Sequence, residues 1–302
     1  LMRYYKTSKT GSICTHIMVS DSGIPGEGEH KIFQYIRDNP VKHAEEVTLI
    51  YGLDADLIML GLNHLPISKN IYLYRETPEF IKSIDKSLEP NEDYILDLPL
   101  LAEAIINKMN GGSKANSIQK HNRLYDYIFL CFFLGNDFMP HFPSINIRTS
   151  GVDTMIAAYQ NTIGRTNENL TNGKTIFWKN VRILIEFLAN SELRLLKQEY
   201  GIRNRQGRRK FSNRTDDDKL FYFQTFPLRN REKEEIIDPY NEFWEERYYK
   251  VLFKTDINDF YKKKIAINYL EGLEWTMKYY TSGCVNWYWG YEYSYPPLLK
   301  DL

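Results

Sequence analysis

Only three of the 302 residues are cysteine, Cys14, Cys131 and Cys284, far apart and with no C-x-x-C pair. That scarcity excludes a disulfide framework or a zinc ribbon and points to buried thiols in a reducing compartment. Long apolar runs are missing too. The longest, 128–134, falls well short of the roughly 18 residues that a membrane span requires. No basic stretch followed by an apolar region opens the chain, so no signal peptide is visible. The expected address is intracellular, the cytoplasm placed ahead of the nucleus, and the sequons at Asn169 and Asn213 read as chance matches. With 17 Gly and 12 Pro against 43% hydrophobic residues, collagenous, low-complexity and disordered classes are also excluded. Charge of one sign is lacking: 39 Lys and Arg balance 39 Asp and Glu. No net field draws the molecule to a polyanion, and a charged partner must be met by a local patch. What the chain has in excess is aromatic: 15% of residues, 23 of them Tyr.

Periodicity divides the chain near residue 150. Before it, residues 12–19 read as a buried strand followed by a turn and a helix at 31–37. A second strand at 47–51 gives way to a helix start at 57–62, and a third strand is expected at 71–74. A helix is expected at 98–109, a polar loop at 111–122, and a buried apolar element at 125–134 that runs into Gly135-Asn136-Asp137. Alternating strands and helices imply an α/β layer with a mostly parallel sheet over residues 1–150. Residues 151–302 carry long helical patterns at 152–159, 181–199, 240–253 and 261–280, which predict a mainly helical region with an aromatic carboxy-terminal segment. The basic stretch 194–214 reads as a mobile charged loop. No internal repeat is visible.

The acids are the informative residues. Glu27 and Glu29 flank a glycine at a predicted helix start, where backbone N–H groups and the helix dipole tolerate negative charge. Taken alone they read as ordinary first-turn acids. Asp54 and Asp56 lie two apart within Gly-Leu-Asp-Ala-Asp-Leu-Ile-Met-Leu, a spacing that in extended backbone points both carboxylates to one face. Two like charges there are costly without a cation between them. Asp137 follows an apolar run directly and alone reads as a turn or cap residue. Together, three strand-to-helix junctions would deliver carboxylates to one edge of the layer, where ligands of such sheets collect. Convergent carboxylates suit Mg²⁺, or Mn²⁺, rather than zinc, and the six histidines show no ligand spacing. Carboxylates around two divalent ions about 4 Å apart are an arrangement that hydrolyses phosphodiesters. The reading is a nuclease.

Four separated segments then resemble the XRN family of 5′→3′ exoribonucleases, in the family's order and over nearly the whole chain. They are Ser22-Gly-Ile-Pro-Gly-Glu-Gly-Glu-His-Lys31, Tyr51-Gly-Leu-Asp-Ala-Asp-Leu-Ile-Met-Leu60, Cys131-Phe-Phe-Leu-Gly-Asn-Asp-Phe-Met-Pro-His141, and the tail from Tyr269-Leu-Glu-Gly-Leu-Glu-Trp275 through Tyr279-Tyr280 and Gly283 to Trp287-Tyr-Trp289. The resemblance implies a nuclease core of the PIN and flap-endonuclease type, Mg²⁺ as cofactor, and processive cleavage of single-stranded RNA bearing a 5′-monophosphate. It places Glu27, Glu29, Asp54, Asp56 and Asp137 in the metal site. His30 and Lys31 are candidates to orient the acids or meet phosphate, with a solvated helix face as the plain alternative. His141 is expected to be a structural hydrogen-bonder.

Trp287 and Trp289 are the candidates for stacking on bases, against the alternative that such aromatics pack a helical core, as is expected of Trp275 beside Leu270 and Leu273. The stretch 203–214 reads as an insert rather than an RNA contact. Where the family usually has His, Ser294 stands. The family also draws further aspartates and a basic 5′-phosphate pocket from sequence preceding these segments. The expectation is therefore the carboxy-terminal larger part of a catalytic region, with the activity of this chain alone left open. A flap-type structure-specific endonuclease and a non-catalytic RNA-binding relic are the other readings.

Overall fold

A computed structural model describes residues 17–75, 85–89, 92–111, 117–208, 212, 214–225, 230–256 and 258–302. Helix α1 (Gly28–Asp38) and the short α2 (Pro40–Glu45) precede strand β1 (Val47–Tyr51), helix α3 (Asp56–His64), strands β2 (Asn70–Arg75) and β3 (Tyr94–Asp97), and helices α4 (Leu98–Met109) and α5 (Ser117–Phe132). The described sheet has the order β1-β2-β3. β1 runs parallel to β2 with Val47 opposite Asn70, and β3 runs antiparallel to β2 with Tyr72 opposite Asp97, so the sheet is mixed. Asp97 ends β3 and starts α4: its side chain accepts the Leu100 N–H at 2.9 Å and Pro99 sits in the first turn, where its missing N–H costs nothing.

Helices α6 (Gly151–Asn161), α7 (Trp178–Ala189), α8 (Glu192–Gly207), α9 (Asp216–Gln224), α10 (Glu232–Ile237), α11 (Trp244–Phe253) and α12 (Asp259–Ser282) follow. No helix among the described residues is long and apolar enough to cross a membrane.

Several expectations need correction. The expected strand at 12–19 lies outside the described residues as far as residue 16, and 17–19 are irregular. The loop expected at 111–122 is helical from Ser117 onward, and the apolar run 125–134 is mostly the end of that same helix, because its apolar residues recur at helical spacing once Leu124 and Ile128 are counted with it. The single helix read at 181–199 breaks at Asn190–Ser191. The charged stretch from 194 is not a loop through 207: α8 buries Leu195, Leu196 and Tyr200 and leaves Arg194 and Arg205 exposed, while Arg203 pairs with Glu234. Residues 209–211 and 213 of that stretch lie outside the described residues.

The main hydrophobic core runs from Phe33 on α1 to Leu299 and includes β1, β2, α3 to α7, and Tyr269, Leu273, Tyr279 and Tyr280 of α12. The α/β part and the helical part therefore share one interior. A smaller cluster joins Leu196 and Tyr200 of α8 to Trp244, Tyr248 and Tyr249 of α11. Beneath the main core a buried polar knot ties residues 166–171 onto α5. Asp126 accepts the N–H groups of Leu170 and Thr171, each at 2.8 Å, and a hydrogen bond from the Tyr159 hydroxyl, while Arg123 donates to the carbonyls of Thr166 and Glu168. Asn169, the first sequon, is buried in that knot.

Candidate metal centre

Glu27 is the N-cap of α1, and Glu29 sits in its first turn, where the helix dipole favours anions. The preceding segment folds back on itself: Asp21 accepts the Gly23 N–H at 2.9 Å, and Lys31 Nζ donates to the Asp21 carbonyl at 2.8 Å. Asp54 and Asp56 do not lie on extended backbone as expected. β1 ends at Tyr51, the Asp54 carboxylate accepts the Asp56 N–H at 3.1 Å, and Asp56 opens α3. Asp137 comes from a turn after α5 rather than from a strand end. Asn136 Oδ1 accepts the N–H groups of Phe138 and Met139 at 2.9 and 2.8 Å, and Gly135 holds φ at +90°, a conformation an L side chain resists.

Three differently built segments nonetheless bring the five acids together. Glu29 is pushed up to about 7, first by burial and then by the charges of Asp54, Asp56, Glu27 and Asp137. Asp56 is raised by burial, against a lowering hydrogen bond from Tyr280, with Asp54, Asp137 and Glu27 adding to the rise. One oxygen each from Glu27 and Glu29 and one nitrogen of His30 lie within 4.8 Å of one another, close enough to share a metal ion. Crowded carboxylates that resist ionising are a donor set that a divalent cation relieves, and hard oxygen ligands fit Mg²⁺ or Mn²⁺.

His30 is buried. It stacks on Tyr279 with ring centroids 3.8 Å apart, and among the described residues neither ring nitrogen has a hydrogen-bond partner. Burial, then the Arg37 charge, pushes its imidazole down to about 4, so it stands 3.7 Å from Glu27 as a neutral ring. The hydroxyl of Tyr279 donates to Glu27 at 3.1 Å, and Tyr280 acts on Asp56, opposing the rise of its carboxyl. Both tyrosines were visible as motif residues, but nothing in their spacing signalled contact with acids more than two hundred positions away.

Trp287 and Trp289 part company. Trp287 is 60% exposed, meets Tyr279 edge-on at 6.2 Å, and lays its ring edge beside Gly26, next to the acids. Trp289 stacks on Trp275 at 5.5 Å and packs against the main core. His141 lies beyond the Asp137 turn, on an open groove of about 840 Å³ also lined by Arg148, Glu199, Arg203 and Ser294. Burial, then Arg148 and Arg203, lowers its imidazole.

The family model described as the Xrn1 helical domain matches residues 118–239 and 228–302, and that described as the XRN 5'-3' exonuclease N-terminus matches residues 2–77. Among curated proteins, the chain is 28% identical to the 5'-3' exoribonuclease 2 homolog of Drosophila melanogaster, with 95% of this chain and 40% of the relative covered. It is 25% identical to 5'-3' exoribonuclease 2 of Gallus gallus, with 95% and 40% covered, and 24% identical to that of Arabidopsis thaliana, with 100% and 41% covered. The chain spans about two fifths of the length of these relatives. With four acid-bearing and aromatic segments in place and models matched on both halves, the chain belongs to the XRN 5'-3' exonuclease family.

Proposed function

We propose that the chain serves a 5′→3′ exoribonuclease acting on single-stranded RNA with a 5′-monophosphate, by two-metal-ion phosphodiester hydrolysis. In this reading residues 1–150 carry the acids and residues 151–302 close the site from the other side. The observation that carries it is the convergence on Glu29 of four other carboxylates from three segments. The names of the relatives, all 5'-3' exoribonuclease 2, support the polarity and the substrate class.

Glu27, Glu29, Asp54, Asp56 and Asp137 would hold Mg²⁺, or Mn²⁺. When bound, divalent ions supply charge stabilisation at the phosphodiester and lower the pKa of water. The remaining work falls to the chain. Its five carboxylates keep negative charge gathered at one place. Lys31 pins the turn before α1 through the Asp21 carbonyl, which fixes where Glu27 emerges. His30, buried and neutral, is a spacer between helices rather than a proton carrier. Trp287 offers an exposed ring beside Gly26 for a base to stack on, worth about 1–3 kcal/mol per base with little sequence preference.

The test uses a 5′-phosphorylated single-stranded RNA and the intact protein. Asp54→Ala and Asp56→Ala should each abolish Mg²⁺-dependent release of mononucleotides while RNA binding survives. Trp287→Ala should do the reverse, weakening RNA affinity roughly tenfold at unchanged metal affinity, in line with the loss of about one base stack. Undiminished degradation by either aspartate variant would remove the site assignment.

A further inference from the structure

Helix α12 reaches the acid cluster from the far end of the chain. It places two consecutive tyrosines there, 3% and 1% exposed: the Tyr279 hydroxyl donates to Glu27 at 3.1 Å, and Tyr280 lies close enough to Asp56 to feel its charge. Neighbours on a helix point about 100° apart, so two consecutive side chains serve one site only where the site wraps around the helix. Here it does. Tyr279 stacks on His30 of α1 and meets Phe138, the residue after Asp137, edge-on at 5.3 Å. The backbone carbonyl of Tyr280 accepts Asn63 Nδ2 of α3 at 2.8 Å, and its ring meets Phe132 at 5.1 Å. The pair thus contacts all three acid-bearing segments.

Among the described residues the five acids form no salt bridge to Lys or Arg, and the one charge-type contact is the neutral His30. Phenol hydroxyls differ from such cations in one respect that matters. They donate a hydrogen bond without cancelling the negative charge, and each occupies one of about four lone-pair sites on a carboxylate. The other oxygen stays available.

We propose that Tyr279 and Tyr280 are positioning residues of this cluster, holding the Glu27 and Asp56 carboxylates in the orientation that receives a divalent cation. This rests on the metal-site reading above. Groups that orient metal ligands from behind, when removed, cost about 10- to 100-fold in metal affinity.

The experiment measures binding of Mn²⁺ alone, by the paramagnetic resonance signal of the free ion, to the intact protein and to Tyr279→Phe, Tyr280→Phe and the double variant. Each single change should weaken binding by about tenfold or more, with the thermal midpoint in EDTA nearly unmoved. Combining Tyr280→Phe with Asp56→Asn should add little to Asp56→Asn alone, whereas Tyr280→Phe with Glu27→Gln should be closer to additive. Should a Phe variant fail to fold, the tyrosine ultraviolet difference spectrum of the unsubstituted protein answers instead: it should change in step with Mn²⁺ occupancy, and a flat spectrum overturns the proposal. Mn²⁺ binding equal to that of the unsubstituted protein in the double variant also overturns it while leaving the metal site standing. No Mn²⁺ binding by the unsubstituted protein removes the metal-site reading and this proposal with it.

Discussion

Glu29 is the acid on which the other four act, and its consequence is a dependence on pH. Held near 7 by burial and by Asp54, Asp56, Glu27 and Asp137, it keeps its proton in the folded chain to a higher pH than the ordinary 4.5. The folded state then binds more protons than the unfolded one between those values, so this group's contribution to stability is fully present below about pH 4.5 and is lost as pH rises through 7. A divalent cation offsets the repulsion that ionisation uncovers and expels the proton. The rise in thermal midpoint on adding Mn²⁺ in place of EDTA should be small near pH 5 and grow through about pH 8, and Glu29→Gln should flatten the trend. Measured across that range, a midpoint rise independent of pH would place Glu29 outside the cluster. Only Asp54 and Asp56, paired among apolar residues, are locally odd; Glu27, Glu29 and Asp137 become legible as site residues only in combination with them and with the family segments. His30 was not: whether a histidine faces water or a tyrosine ring depends on α12, and no local pattern reports that.

At the scale of elements, the loop that presents Asp137 is held by its own turn and by α12. Met139 exchanges hydrogen bonds with Asn136 and reaches toward Gly272 of α12, where an added Cβ would stand 2.3 Å from Met139 Sδ and 2.9 Å from the Trp289 ring. A side chain there would have to displace the Met139 thioether and crowd the Trp289 ring. Gly272→Ala should cost about 1–3 kcal/mol by overpacking, read from urea unfolding. It should also weaken Mn²⁺ binding if Met139 yields by shifting the turn that carries Asp137 rather than by rotating its side chain. A stability loss with unaltered Mn²⁺ binding would show that the side chain rotates and the turn stays. Of the three strand-to-helix junctions expected to bear acids, only that between β1 and α3 is seen among the described residues. Apolar runs of this length do not distinguish a buried helix from a strand, which is why α5 was open to misreading.

At the scale of the molecule, the boundary near residue 150 marks a change of secondary structure and not a gap in the core. Phe33, Ile36, Leu57 and Leu60 belong to the same buried cluster as Tyr269, Leu273, Tyr279 and Tyr280. Residues 1–150 produced alone would expose the apolar surface that α12 covers and leave two acid-bearing segments without their tyrosine partners. They should show no cooperative thermal transition, while the whole chain does. A sharp transition from the fragment would make the α/β part a domain in its own right.

The family segments, the pairing of Asp54 with Asp56 and most helical periods of the second half are determined by the sequence itself, because each is a pattern among neighbours in the chain. The tertiary structure decided the rest. It separated Trp287, exposed beside the acids, from Trp289, stacked in the core, and joined Tyr279 to Glu27 across 252 positions. The physical reason is common to these cases. Charge and periodicity are properties of neighbours in the chain, whereas burial and hydrogen-bond partnership are set by whichever distant segment the shared core brings alongside.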